Sequence, residues 1–413
     1  MKIEMENINR YMLENIDILI EEKKLEDKRI VLFGLNTSSY AAREYLEKKG
    51  FRVCAYIDND RKKVDELNDI INEILPVHMQ SMAYEFAKKE FIRAYNPENL
   101  LKEFCDDYVI LIASKYYSQM CEQLENMGYK EGKHIYQIVD FYSLEQQLKD
   151  FKLADDYIPL SHEEVRKYQL EILDEVKRVC EQNNLRYYLC GGTLLGAIRH
   201  KGYIPWDDDI DVIMPYQDYL KFIEIIDKDN EHYTILSPYT NKEQCFTFFA
   251  RMIHNDTFMK WWEYPFLMTS GVSIDIFALS GLPDSEDEIR FYYNKVRRLN
   301  TKFISSYLKL SYNDNDEIQA REKIRSEILE MLERYRFDDS KKAFCITKYK
   351  EKDILPTSIY DKTIKVNFED RIYDAAGGYD IYLKSLYGDY MKLPPVNQRT
   401  GCHNYKAYKI REK

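Results

Sequence analysis

In the first third of the chain, apolar residues come in short unbroken runs. Ile30-Val31-Leu32-Phe33 runs into Gly34, the stretch from Arg52 to Ile57 stops at Asp58-Asn59-Asp60, and Tyr108 to Ala113 is apolar throughout. Unbroken runs predict strands buried on both faces, as in a parallel sheet. Between them, Ser38 to Lys49 predicts a helix ended by Gly50, and a second helix runs to Met127 and Gly128. Strands alternating with helices predict a parallel α/β domain over residues 26–142, led by a helix over residues 1–25.

Residues 143–160 carry charges and Pro159 and read as a linker to a second domain, 161–413. Ser161 and Glu164 form a capping box, and Val165, Tyr168, Ile172, Val176, Val179 and Cys180 give the helix behind it a core-facing stripe. Tyr187 to Cys190 then reads as a strand, Gly191-Gly192 as a tight turn, and Thr193 as the opening of a short helix to Arg199. Two further stretches alternate with a period of two: Asp209 to Ile213, and Gly271 to Phe277. Residues 285–350 are charged and helical. The expected fold is α/β followed by α+β with helical insertions.

Composition narrows the class. With 45% hydrophobic and 32% interspersed charged residues, the chain is expected to be globular. A net charge of −11 disfavours nucleic acid as a partner, because phosphates demand broad basic surfaces. Eight cysteines without Cys-x-x-Cys spacing point to free thiols in a reducing compartment. Acidic residues interrupt the N-terminal apolar positions as no secretory leader allows, and Tyr108 to Ala113 is far too short to span a bilayer. A cytoplasmic location is expected, with peripheral contact to a membrane surface left open.

The chemistry concentrates between Tyr187 and Pro215. Asp209 and Asp211 lie two apart on an expected strand and so project together. Two such carboxylates repel unless a cation joins them, and oxygen donors suit Mg2+ or Mn2+. Asp207 either adds to that site or caps the loop. Asp275, alone in an apolar strand, is the candidate third ligand. Free amides at Gly191, Gly192 and Thr193 can hold a phosphate, and Arg199, His200 and Lys201 can pair with its charge, unless that trio is simply a solvated loop. In the first domain, Asn36 stands where a dinucleotide fingerprint needs glycine, so tight NAD binding is not expected; Asp58 ends a strand where such folds often hold a ribose.

Gly192-Thr193-Leu194-Leu195-Gly196-Ala197-Ile198-Arg199 with Ile204-Pro205-Trp206-Asp207-Asp208-Asp209-Ile210-Asp211 resembles the LicD family, and Tyr387-Gly388-Asp389 with Pro394-Pro395 is similar to its ending. The resemblance covers roughly residues 160–405. It implies a nucleotidyltransferase-like fold. It also implies metal-dependent transfer of phosphocholine or an alditol phosphate from a CDP-linked donor to a glycan or glycolipid hydroxyl, with release of CMP. Trp206 then either stacks on the donor or packs the loop, Asp275 is either ligand or base, and Arg399 and His403 are further candidates for phosphate contact. The first domain loosely resembles Rossmann-like modules found beside sugar-modifying transferases. Nucleotide transfer to a small acceptor and a non-catalytic nucleotide-binding protein are the alternatives. A haloacid-type phosphatase is excluded, because Pro205-Trp206-Asp207-Asp208 replaces the apolar strand that fold needs.

Overall fold

The structure is a computed structural model describing residues 4–7, 9–74, 92–140, 157–228, 230–263, 266–307, 315–347, 349–395, 399 and 404–411. One sheet is parallel throughout, with strands in the order Ala94–Tyr95, Val53–Ile57, Arg29–Phe33, Tyr108–Ile112 and Ile135–Gln137. Its inner strands are apolar on both sides because both faces are covered. Ile30 and Leu32 pack with Met12, Ile16, Ala42 and Leu46 of the helices Asn9–Glu21 and Thr37–Lys48. Val31 and Phe33 face the opposite way, onto Met120, Cys121 and Leu124 of helix Tyr117–Asn126. Gly50 ends the Thr37–Lys48 helix at φ +88°, a conformation that glycine adopts without a Cβ clash.

A second sheet carries the candidate chemistry. Tyr233–Leu236, Ala250–His254, Ser273–Gly281, Lys342–Phe344 and Leu355–Pro356 follow one another, and Asp211–Pro215 lies parallel to Ser273–Gly281. Helix His162–Asn183 begins at Ser161 with the expected capping box and packs on this sheet. Val165, Ile172, Val176, Val179 and Cys180 of its stripe are buried, while Tyr168 is half-buried. Helices Glu286–Ser306 and Asn315–Arg334, from the charged region, pack against each other and contribute Ile289, Val296, Phe303 and Ile328 to the same core.

A third, antiparallel sheet departs from the expected plan. Its order is Glu4–Asn7, Phe266–Ser270, Thr257–Glu263, Asn404–Ile410, Tyr157–Pro159. Residues 4–7 are thus a strand where a helix is expected, and residues 157–159 are a strand where a linker is expected; the rest of that linker, 143–156, lies outside the described residues. Both short strands find their partners more than a hundred residues away, and a local polar–apolar pattern carries no record of such pairing. The parallel sheet is therefore inserted between two edge strands of one sheet. Among the described residues, no helix is long and apolar enough to cross a membrane.

Candidate active site

The Gly191–Arg199 helix starts two residues before Thr193, and its N-cap residue Cys190 offers no side-chain cap. The amide of Gly191 donates instead to the Tyr382 hydroxyl at 3.1 Å. Gly191 sits at φ +52°, and a Cβ there would stand 2.8 Å from Asp211 Oδ2. A Cβ on Gly192 would stand 2.6 Å from Asp207 Oδ2. The glycine pair thus gives two carboxylates room against the positive end of a helix, where negative charge is favoured. Thr193 adds an anchor, its hydroxyl accepting the Asp211 amide at 2.8 Å.

The acidic run is a loop that feeds the strand. The regular strand begins at Asp211, so Asp209 lies just before it; the parallel pairing reaches Ile210, whose carbonyl accepts the Asp275 amide at 2.9 Å. Carboxylate oxygens of Asp207, Asp208 and Asp209 lie within 4.8 Å of one another. The loop's backbone is gripped from below by the His162–Asn183 helix. Arg166 Nη2 donates to the Asp207 carbonyl at 2.7 Å and to the Ile204 carbonyl at 3.3 Å, and Gln169 Nε2 donates to the Asp208 carbonyl at 2.9 Å. Burial, then the charge of Asp209 and a hydrogen bond to it, push the Asp207 carboxyl up to about 7. Such crowding of like charge is what a divalent cation would relieve.

Asp275 stands opposite Asp211 on the neighbouring strand, and Arg251 stands opposite Asp275 on the next. Paired positions on adjacent strands share a face, so the three form one row across the sheet. Ser273, Asp275 and Phe277 are half-buried while Ile274 and Ile276 are buried, the alternation expected from the sequence. Arg251 Nε donates to Asp275 Oδ1 at 2.9 Å. Of the expected metal ligands, the fold therefore sets Asp211 beside Asp275 and groups Asp209 with Asp207 and Asp208.

Arg199 and His200 meet the C-terminal segment. Arg199 Nη1 donates to the Tyr390 carbonyl at 2.7 Å, and its Nε donates to His200 Nε2 at 2.9 Å. The Arg399 guanidinium lies 5.5 Å from the Trp206 ring centre and donates to the Pro394 carbonyl at 2.9 Å. The Tyr-Gly-Asp and Pro-Pro segment is thereby folded back onto the loop that follows the glycine helix. Lys201 is exposed in a turn at φ 64°, its carbonyl accepting from the Glu369 amide at 2.8 Å. His403 lies outside the described residues.

Arg166, Gln169, Tyr382 and Arg251 were not among the expected site residues. Gln169 did carry a signal, a polar residue on the helix's apolar stripe, and so did Arg251, a charge within Phe248-Phe249-Ala250-Arg251-Met252-Ile253. The donors that the acidic loop and the strand row supply are carboxylate oxygens, and this set fits Mg2+ or Mn2+ rather than a thiolate-bound metal. In the parallel sheet, the loop after Phe33 is tied down by Asp58 and Asn36, while the buried Ser38 and Ser39 hydroxyls behind it have no hydrogen-bond partner among the described residues. Asp58 Oδ2 accepts the Leu35 amide at 2.6 Å, Asn36 Oδ1 accepts the Ser39 amide at 3.0 Å, and Asn36 Nδ2 donates to the Ala113 carbonyl at 3.0 Å.

Residues 184–309 match the family described as LicD/FKTN/FKRP, nucleotidyltransferase domain, a span that holds the glycine helix, the acidic loop and Asp275. The lipopolysaccharide cholinephosphotransferase LicD of Haemophilus influenzae is 32% identical over 266 residues, covering 58% of this chain and 94% of that protein. Uncharacterized proteins of Rickettsia prowazekii and Rickettsia typhi are 34% and 33% identical over 79 residues, 17% of this chain and 30% and 26% of theirs. With nearly the whole of the Haemophilus enzyme matched, the chain belongs to the LicD family of phosphotransferases.

Proposed function

We propose that this enzyme transfers a phosphorylated alcohol, phosphocholine or an alditol phosphate, from a CDP-linked donor to a hydroxyl of a cell-surface glycan. The acceptor hydroxyl gives up its proton to solvent as its oxygen forms a bond to the phosphorus bearing the alcohol, the bond from that phosphorus to the bridging oxygen breaks, and CMP leaves with that oxygen. Named after its action on lipopolysaccharide, the Haemophilus relative makes a glycolipid the acceptor of choice. The observation that carries the reading is the crowding of Asp207, Asp208 and Asp209 beside the Asp211–Asp275 pair, at the N-terminus of the Gly191–Arg199 helix.

In this reading Asp209, Asp211 and Asp275 hold Mg2+ or Mn2+, with Asp207 beside them. The bound cation supplies charge neutralisation at the donor pyrophosphate. The first turn of the glycine helix lines the phosphate side, and Trp206, beside His200 at the far end of that helix, lines the donor's base or alcohol. The chain's part in phosphoryl transfer is then positioning and electrostatics. The parallel sheet is read as a Rossmann-like scaffold, and the part with the acidic loop as a nucleotidyltransferase-like fold.

The test is incubation with CDP-choline, CDP-ribitol and CDP-glycerol, magnesium and cell-surface glycan, following CMP. Release that needs both glycan and metal is expected. The family description favours one other reading, nucleotidyl transfer. Pyrophosphate release from a nucleoside triphosphate, with no CMP from any CDP-alcohol, would replace the first reading with the second.

A further inference from the structure

Arg251 lies outside every motif discussed above, yet it completes the row in which Asp211 and Asp275 stand. Asp275 occupies the middle position, with Asp211 on one side and Arg251 on the other. The Arg251 guanidinium is held by three aromatic rings, with centres 4.6 Å away at Trp261, 5.3 Å at Phe249 and 5.8 Å at Phe246. Its side chain is 13% exposed, and Asp275 is its ion-pair partner among the described residues. A cation so nearly buried costs hydration, which the ring faces and the charge-assisted hydrogen bond offset. Three rings and one carboxylate leave the guanidinium little freedom to reorient.

We propose that Arg251 is a positioning residue and the internal counter-cation of the carboxylate row: it holds Asp275 beside Asp211 when no divalent cation is bound, and it weakens the grip of the site on that cation. This rests on the metal site proposed above. The electrostatics set its direction. Without Arg251, Asp211 and Asp275 face each other with their mutual repulsion less compensated, so the metal-free protein loses stability. A divalent cation entering the same row replaces the lost charge and no longer competes with a guanidinium for Asp275. Two cations sharing one carboxylate repel each other, and removing the guanidinium relieves that repulsion.

The experiment compares wild type, Arg251→Met and Arg251→Lys by thermal unfolding in EDTA and in saturating Mn2+, with calorimetric titration of Mn2+ alone. Arg251→Met should melt several degrees lower in EDTA and recover most of that loss in Mn2+, and it should bind Mn2+ several-fold tighter than wild type. Arg251→Lys keeps the charge and should return both values towards wild type. Equal losses with and without Mn2+, or weaker Mn2+ binding by Arg251→Met, would show a packing role only and overturn the inference while leaving the metal site in place. A wild-type protein that neither binds nor is stabilised by Mn2+ would remove the metal site and this inference together.

Discussion

At the residue scale, the two glycines beside the acidic loop are as informative as the carboxylates. Gly192 has no positive φ to demand glycine, yet a Cβ there would meet Asp207 Oδ2 at 2.6 Å. Gly192→Ala should therefore fold and displace Asp207, raising the metal concentration needed for turnover; metal dependence equal to wild type would contradict the packing argument. Asp275→Asn keeps the shape and removes a charge. Turnover should fall by orders of magnitude, because a carboxylate proposed to hold the metal loses its charge. Circular dichroism should show the fold intact, and near-normal kcat would end the role given to Asp275.

One buried acid predicts a pH dependence. Asp353 is 4% exposed, and one of its carboxylate oxygens accepts the Thr347 hydroxyl. Burial pushes its carboxyl up to about 7, against an ordinary value of 3.8. The unfolded chain therefore gives up this proton before the folded protein does. Stability from this group is present below about pH 4, is lost as pH rises towards 7, and stays lost above that. Urea unfolding of Asp353→Asn at pH 5 and pH 8 should show a smaller pH difference than wild type, by on the order of 1–4 kcal/mol. An unchanged difference would mean that the carboxyl ionises normally.

At the scale of elements, what could be read from sequence was what is local. Ser161 and Glu164 mark a helix start because a capping box closes within three residues. The Gly-Gly-Thr and Asp-x-Asp runs stood out for the same reason, although Gly191 and Gly192 open the helix instead of turning ahead of it and the strand begins at Asp211, not Asp209. Strand partners were not. Arg251 faces Asp275 because strand Ala250–His254 pairs in one particular register, and that register depends on turns and burial elsewhere. The grip of Arg166 and Gln169 on the acidic loop was equally hidden, since it joins side chains to carbonyls about forty residues later in the chain. Arg166→Met tests that grip. Loosening the loop should weaken metal binding about 10–100-fold, the usual range for groups that orient ligands, with little change in melting temperature; calorimetry with Mn2+ is the check.

At the scale of the whole molecule, the parallel sheet raises the question of a nucleotide. Asp58 and Asn36 already satisfy amides of the loop after Phe33, and a pyrophosphate would have to displace the Asp58 carboxylate. No tight NAD binding is expected; micromolar affinity by calorimetry would overturn that. The connection of this sheet to the rest has a practical consequence for truncation. Glu4–Asn7 and Tyr157–Pro159 flank the inserted unit and close opposite edges of the antiparallel sheet. A shortened chain starting at residue 161 would keep every candidate ligand yet bare the outer amides and carbonyls of Phe266–Ser270 and Asn404–Ile410. Open edges invite intermolecular pairing. Such a fragment is expected to self-associate on a sizing column, and adding back a peptide spanning residues 155–160 should partly suppress this.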